Sequence, residues 1–277
     1  MVCAALFRAA DNAPATNGFA LRAHMIIVPV MVNGAAPRDF LLDTGSNTTL
    51  VTPEFARQLR LRPHDRVELV TVAGTQLVPR ARLDRLEMGG QALADVEALI
   101  GDLREIRGVA PDVAGVLGQN FLTRFSFVID YRAQKLLFET GTELENSLCG
   151  ARLPLENHED RWLVRARVNE QAGLFVPDTG IDSLLLFVRG ARLIEQTLPA
   201  GSSLARTDAG TRAARQWRVP RLGIGPVVFR DFTVTMFPAG PADAERIEDG
   251  LLPLCLFDRV YFNHRRGYLI LNPRHGK

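Results

Sequence analysis

The sequence has few of the residues that announce a metal centre, a disulfide scaffold or a membrane anchor. Cysteine occurs three times in 277 residues, at Cys3, Cys149 and Cys255. The number is odd, the positions are far apart and no CxxC spacing is present, so neither a zinc site nor a disulfide framework is indicated. His24, His64, His158, His264 and His275 are scattered without metal-ligand spacing. No metal and no other cofactor is expected. There is no run of 18 or more apolar residues, hence no expected membrane-spanning helix. An excess of one charge is also lacking: the formal net charge is +2, and the basic stretches 80–85 and 264–266 are short. Nothing in that balance favours nucleic acid or a membrane surface as a partner. Two tryptophans and three tyrosines leave little material for a sugar-binding aromatic platform, which weighs against a carboxylate-pair glycosidase.

What is present fits a globular protein: 47% of residues are hydrophobic and 23% charged, enough for one large or two ordinary cores. Residues 1–7 are apolar but lack a basic flank. They read as a tail in a cytoplasmic chain, or as the remnant of a signal peptide in a periplasmic or secreted one. Residues 8–22 carry no periodic pattern and are expected to be poorly ordered. From about residue 24 the chain becomes short apolar runs separated by turn residues. A strand over 26–32 ends in the hairpin dipeptide Asn33-Gly34, and a second strand, 40–42, leads into Asp43-Thr44-Gly45. Hairpins are expected around 73–75, 89–90 and 131–134. Helix signals are few: Thr52-Pro53-Glu54 supplies an N-cap, a first-turn proline and a first-turn acid, and 187–196 is a weaker candidate. The expected class is all-β.

An internal repeat organises these elements. Asp-Thr-Gly recurs at 178–180, 135 residues after Asp43. Gly115-Val116-Leu117 has its counterpart in Gly250-Leu251-Leu252 at the same offset. At an offset of 136, Ala73-Gly74-Thr75 recurs as Ala209-Gly210-Thr211, Asp95 as Asp231, and Val32-Asn33 as Val168-Asn169. Each match alone is weak; together, in one order, they mark a duplicated domain. The expected division is a tail at 1–22, a first lobe at 23–141, a linker at 142–150 and a second lobe at 151–277.

A duplicated domain with one Asp-Thr-Gly per half has a chemical use. Two halves packed about a pseudo-two-fold axis bring Asp43 and Asp178 together. Carboxylates in contact share a proton, because both cannot ionise cheaply. One can then take a proton from water while the other hydrogen-bonds a scissile carbonyl. Gly45 and Gly180 allow the backbone to approach the carboxylates, Thr44 and Thr179 are suited to bonding across the two loops, and Ser46 is placed to donate to Asp43.

On these residues each half resembles a retropepsin-type lobe of the aspartic peptidases, over roughly residues 24–273, and in detail is most similar to bacterial proteins with two fused lobes. The resemblance implies two β-barrel lobes with an active cleft between them, and Asp43 and Asp178 as a catalytic pair. It implies flaps tipped by Ala73, Gly74 and Thr75 and by Ala209, Gly210 and Thr211. It also implies a peptide or unfolded protein as substrate, and a chain that needs no dimerisation to complete its site. Departures fall in the second half. Pro253 stands for Gly118, Pro177 precedes the second Asp, and Ile181 replaces Ser46. If Asp178 lacks a hydroxyl donor that Asp43 has, its pKa rises and activity extends toward mildly acidic or neutral pH. The same departures would suit a second function, a peptide-binding module that retains the fold without turnover. The first flap segment has no Tyr, unlike the pepsin branch. Trp217 near the second flap reads as a core residue or as part of a lid.

Overall fold

The structure is a computed structural model describing residues 15–71, 74–139, 143–146, 148–159, 161–207, 210–240, 243 and 246–273. The chain opens with β1 (Ala15–Gly18) and β2 (Ala20–Arg22), followed by β3 (Met25–Val32) and β4 (Arg38–Leu42). Asn33 and Gly34 turn the β3–β4 hairpin with left-handed backbones, φ 51° and 73°. Then come β5 (Thr49–Val51), α1 (Pro53–Gln58), β6 (Pro63–Thr71), β7 (Gly74–Met88), β8 (Gln91–Ile100), α2 (Arg104–Arg107), β9 (Gly115–Leu117) and α3 (Gln119–Leu122). Thr52 caps α1, its hydroxyl accepting the Phe55 N–H at 3.2 Å. β10 (Phe127–Asp130), β11 (Lys135–Phe138) and β12 (Ala151–Pro154) lead to the second half.

There β13 (Glu156–His158), β14 (Arg161–Val168), β15 (Gln171–Asp178), β16 (Leu184–Leu186), β17 (Pro199–Thr207), β18 (Gly210–Ile224), β19 (Val227–Met236) and β20 (Gly250–Pro253) repeat the first set. A 3-10 helix, Val188–Ile194, stands where the first half has α1. β21 (Phe257–Asn263) and β22 (Tyr268–Pro273) end the chain.

The two halves have the same topology. One sheet runs β2-β3-β4-β9-β5-β8-β7-β6 and the other β13-β14-β15-β20-β16-β19-β18-β17. An additional pairing, β3 with β7 and β14 with β18, closes six strands of each sheet into a barrel. The duplication reaches the backbone. Asp95 and Asp231 are both left-handed, φ 55° and 50°. Each sits where the ladder to the neighbouring strand skips one pair while the register on either side stays the same.

A third sheet, β1-β11-β10-β21-β22-β12, draws strands from both halves. β10 pairs with β21 from Phe127 opposite Phe262 to Asp130 opposite Arg259, and the Asp130 carboxylate accepts the Arg259 guanidinium at 2.6 Å. The largest hydrophobic core is therefore continuous through both lobes, from Phe40 and Leu42 to Phe127, Phe262 and Leu252. Two smaller clusters lie on the other face of the strands that lead to Asp43 and Asp178: Leu41 and Val116 in the first lobe, Val176 and Leu251 in the second.

One expectation changes. Residues 15–22 are not an unpatterned tail: β1 pairs with β11 and β2 with β3. Strand addition satisfies exposed edge backbone and needs no alternation of apolar residues, so composition gave no sign of it. Trp217 lies in the core and is 7% exposed, in keeping with its reading as a core residue and not as part of a lid. Among the described residues no helix is long and apolar enough to cross a membrane.

Candidate active site

β4 delivers Asp43 and β15 delivers Asp178. Strand alternation sets the stage: Phe40 and Leu42 point into the main core while Leu41 points to the other cluster, so the loop leaves the barrel from a fixed edge. The Asp43 N–H donates to the Leu117 carbonyl of β9 at 3.0 Å. In the second lobe β15 runs parallel to β20, with Asp178 opposite Pro253.

Pro177 leaves a trace in that strand. The β3–β4 ladder continues to Ile26 opposite Leu42, whereas β14–β15 stops at Val164 opposite Phe175. A proline lacks the N–H that would extend it. Pro253 does no comparable damage, since it closes β20 and its carbonyl side continues the chain into a 3-10 turn. Gly118 is needed in the first half because a Cβ there would lie 2.7 Å from the Thr48 carbonyl.

The two loops are bound to each other by a reciprocal set of four hydrogen bonds. The Thr44 N–H donates to the Thr179 hydroxyl at 3.0 Å, and the Thr179 N–H to the Thr44 hydroxyl at 3.2 Å. The Thr44 hydroxyl donates to the Pro177 carbonyl at 2.8 Å, and the Thr179 hydroxyl to the Leu42 carbonyl at 2.7 Å. Both threonines are buried. Every polar group of this lattice has its partner in the opposite lobe, so the separation of the loops is fixed without a covalent link.

That lattice brings the carboxylates together. Gly45 N–H donates to Asp43 Oδ1 at 2.8 Å, and Gly180 N–H to Asp178 Oδ1 at 2.6 Å. The Asp43 and Asp178 carboxyl groups are within hydrogen-bonding reach of each other. The glycines make room for the approach: a Cβ on Gly45 would sit 2.6 Å from Asp178 Cγ, and one on Gly180 3.4 Å from Asp43 Oδ1. Burial holds the Asp43 carboxyl above the usual carboxylate range, against the Gly45 N–H, the Asp178 carboxyl and the Ser46 N–H, which each pull it back.

Ser46 departs from its expected role. Its hydroxyl donates to the Thr48 carbonyl at 3.0 Å, and it is the backbone N–H that serves Asp43. The replacement of Ser46 by Ile181 therefore removes no hydroxyl from the carboxylate, and the pH argument built on it falls.

Residues with no role assigned from sequence support the first loop from behind. Gln119 Nε2 donates to the Thr44 carbonyl at 2.8 Å. Asn120 Oδ1 accepts from the Thr49 N–H at 2.9 Å and from its hydroxyl at 2.8 Å, and Asn120 Nδ2 donates to the Glu97 carbonyl at 2.7 Å. Leu254 and Cys255 occupy these places in the second half, and the Cys255 thiol reaches the Ile181 carbonyl at 3.7 Å. The polar pair Gln119-Asn120 just after an apolar-apolar-Gly strand was the available signal.

The flap candidates lie at equivalent hairpin tips. Thr71 pairs with Gly74 at the end of β6–β7, and Thr207 with Gly210 at the end of β17–β18. Thr75 and Thr211 follow in the ladders, opposite Val70 and Arg206. Gly74 has φ 146° and the Thr71 hydroxyl donates to its carbonyl at 3.1 Å. Ala73 and Ala209 lie outside the described residues.

Comparison with known proteins agrees with the duplication. A family model described as "Aspartyl protease" matches residues 28–121 and again 164–253. Among solved structures, the chain is similar to a retropepsin-like aspartic protease from Rickettsia conorii, with 19% identity over 46% of this chain and 94% of that one, at a TM-score of 0.31. No curated protein matches the chain.

Proposed function

This chain belongs to the aspartyl protease family, and we propose that it is an endopeptidase in which Asp43 and Asp178 jointly activate the water that attacks the peptide bond. The observation that carries this reading is the reciprocal threonine lattice, which holds two carboxyl-bearing loops from opposite lobes at a fixed separation. One proton shared by the pair leaves one carboxylate to take a proton from water and one carboxyl to hydrogen-bond the scissile carbonyl. The shared proton then moves to the departing nitrogen, so atoms balance without a covalent intermediate. The raised pKa of Asp43 favours retention of that proton as the pH rises. Activity should accordingly fall on the alkaline side, where the pair loses its last proton. Both carboxylates come from one chain, which supports a monomer as the active unit. The apolar cleft that the family resemblance implies would favour hydrophobic side chains around the cut. Paired hairpins suit an extended peptide backbone.

The test is cleavage of an unfolded protein from about pH 3 to 8 by the parent and by Asp43→Asn and Asp178→Asn. Each variant should lose at least about 100-fold in rate. Cleavage that survives both substitutions removes the pair from the mechanism. Peptide binding without cleavage by the parent at any pH leaves the binding-module reading in its place.

A further inference from the structure

The connection between β19 and β20 carries two buried carboxylates, Glu248 and Asp249, where the offset of 135 places Val113 and Ala114 in the first half. Asp249 is engaged within its own lobe, accepting the Leu174 N–H at 2.9 Å and Arg192 Nη2 at 2.7 Å. Glu248 is gripped by Arg161 and by Arg246, whose Nη1 donates to it at 2.9 Å. Arg246 is nearly buried, with its guanidinium 3.8 Å from the centroid of the Phe187 ring and its Nε 3.4 Å from an Asp243 oxygen. Its remaining nitrogen, Nη2, donates to the Thr71 carbonyl at 3.3 Å, 175 residues away. Thr71 ends β6, next to the tip of the first flap hairpin. A side chain of the second lobe thus holds the flap of the first by its backbone.

We propose that Arg246 is a latch on the first flap and sets how readily the cleft above Asp43 and Asp178 opens. Its chemistry suits the task. Phe187, Glu248 and Asp243 fix the planar fork before it meets the flap, so little ordering entropy remains for the contact to overcome. A charged donor on a neutral carbonyl also makes a stronger bond than a neutral pair. The two flaps are not equivalent in this respect. At the same offset the first half has Pro111, which has no side-chain donor, and the second hairpin meets the first lobe through α2 packing against β17 and β18.

The effect on turnover rests on the proposed peptidase reading; the tether itself does not, and the experiment separates them. Arg246→Met would leave Glu248 with Arg161 alone and could unfold the loop. Arg246→Lys is the cleaner change, since it keeps a cation for Glu248 but loses the rigid fork whose two separate nitrogens reach Glu248 and Thr71. Amide hydrogen exchange is measured in the Asp43→Asn background, where self-cleavage does not interfere. Peptides covering 63–71 and 74–82 should exchange about 3- to 10-fold faster in the lysine variant, with the 199–224 hairpin unchanged. With Asp43 restored, KM should rise about 3- to 10-fold while kcat stays within about twofold. Unchanged exchange in the first hairpin overturns the latch, whatever the activity. Equal acceleration of both hairpins also overturns it, because that marks general loosening. Faster first-flap exchange in a protein that cleaves nothing upholds the latch and removes the peptidase.

Discussion

His264 follows β21 in the sheet that joins the lobes, and its ring is stacked on Phe262 at 5.3 Å and set edge-on to Trp162 at 4.8 Å, with Phe127 at 6.0 Å. Neither ring nitrogen has a hydrogen-bond partner of good geometry. Burial among these rings pushes its pKa from 6.5 down to about 4, with the Phe125 carbonyl opposing the shift in part. The folded value lies below the unfolded one, so on acidification the unfolded chain takes up this proton first. Stability tied to the neutral ring is complete above about pH 6.5 and is lost progressively as the pH falls toward 4. At about 1.4 kcal/mol per pH unit the full loss is about 3 kcal/mol, of which about 2 kcal/mol is gone by pH 5. His264→Phe keeps an aromatic ring in the box and removes the titration. Urea unfolding of parent and variant at pH 7.5, 6 and 5 isolates the effect, because other acid-sensitive groups, such as Glu156 held low by Arg165, are common to both. Relative to the parent, the variant should gain about 2 kcal/mol between pH 7.5 and 5. A stability difference that does not change with pH would refute the reasoning.

The threonine lattice and its glycines give two further expectations. Thr44→Val leaves the Pro177 carbonyl and the Thr179 N–H buried without partners, which should cost about 2–5 kcal/mol in urea unfolding. Thr179→Val should cost a similar amount through the Leu42 carbonyl and the Thr44 N–H. Because both act on one interface, the double variant should cost clearly less than the sum, and strict additivity would show that the loops are held by something else. Gly45→Ala should abolish cleavage, since its Cβ would overlap the Asp178 carboxylate, whereas Gly180→Ala, with its nearest contacts at 3.2–3.5 Å, should retain measurable kcat/KM. Equal losses in the two alanine variants would contradict the geometry.

The meeting of the two Asp-Thr-Gly loops is legible in the sequence because the fold is written twice in it. Repetition turns weak local signals, a three-residue turn or a hairpin glycine, into positions that must coincide about an axis. It even reaches Asp95 and Asp231, whose left-handed backbones interrupt equivalent ladders. What repetition cannot show is anything peculiar to one half. Proximity along the chain points Ser46 at the Asp43 carboxylate, yet its hydroxyl bonds a carbonyl in its own turn, at Thr48. Gln119 and Asn120 build a polar support behind Thr44 and Thr49 that Leu254 and Cys255 do not reproduce, so the comparison of halves left no matching pattern there. Arg246 and Glu248 stand against Pro111 and Val113, and their partner Thr71 lies in the other lobe. The joining sheet is a further case: β10 meets β21 through unpaired edges, and edge pairing follows from where strands end up in space. Symmetry in the sequence therefore locates the paired carboxylates. The features that would make the two sides of the cleft behave differently arise where the copies have diverged, and only the folded chain brings those residues to their partners.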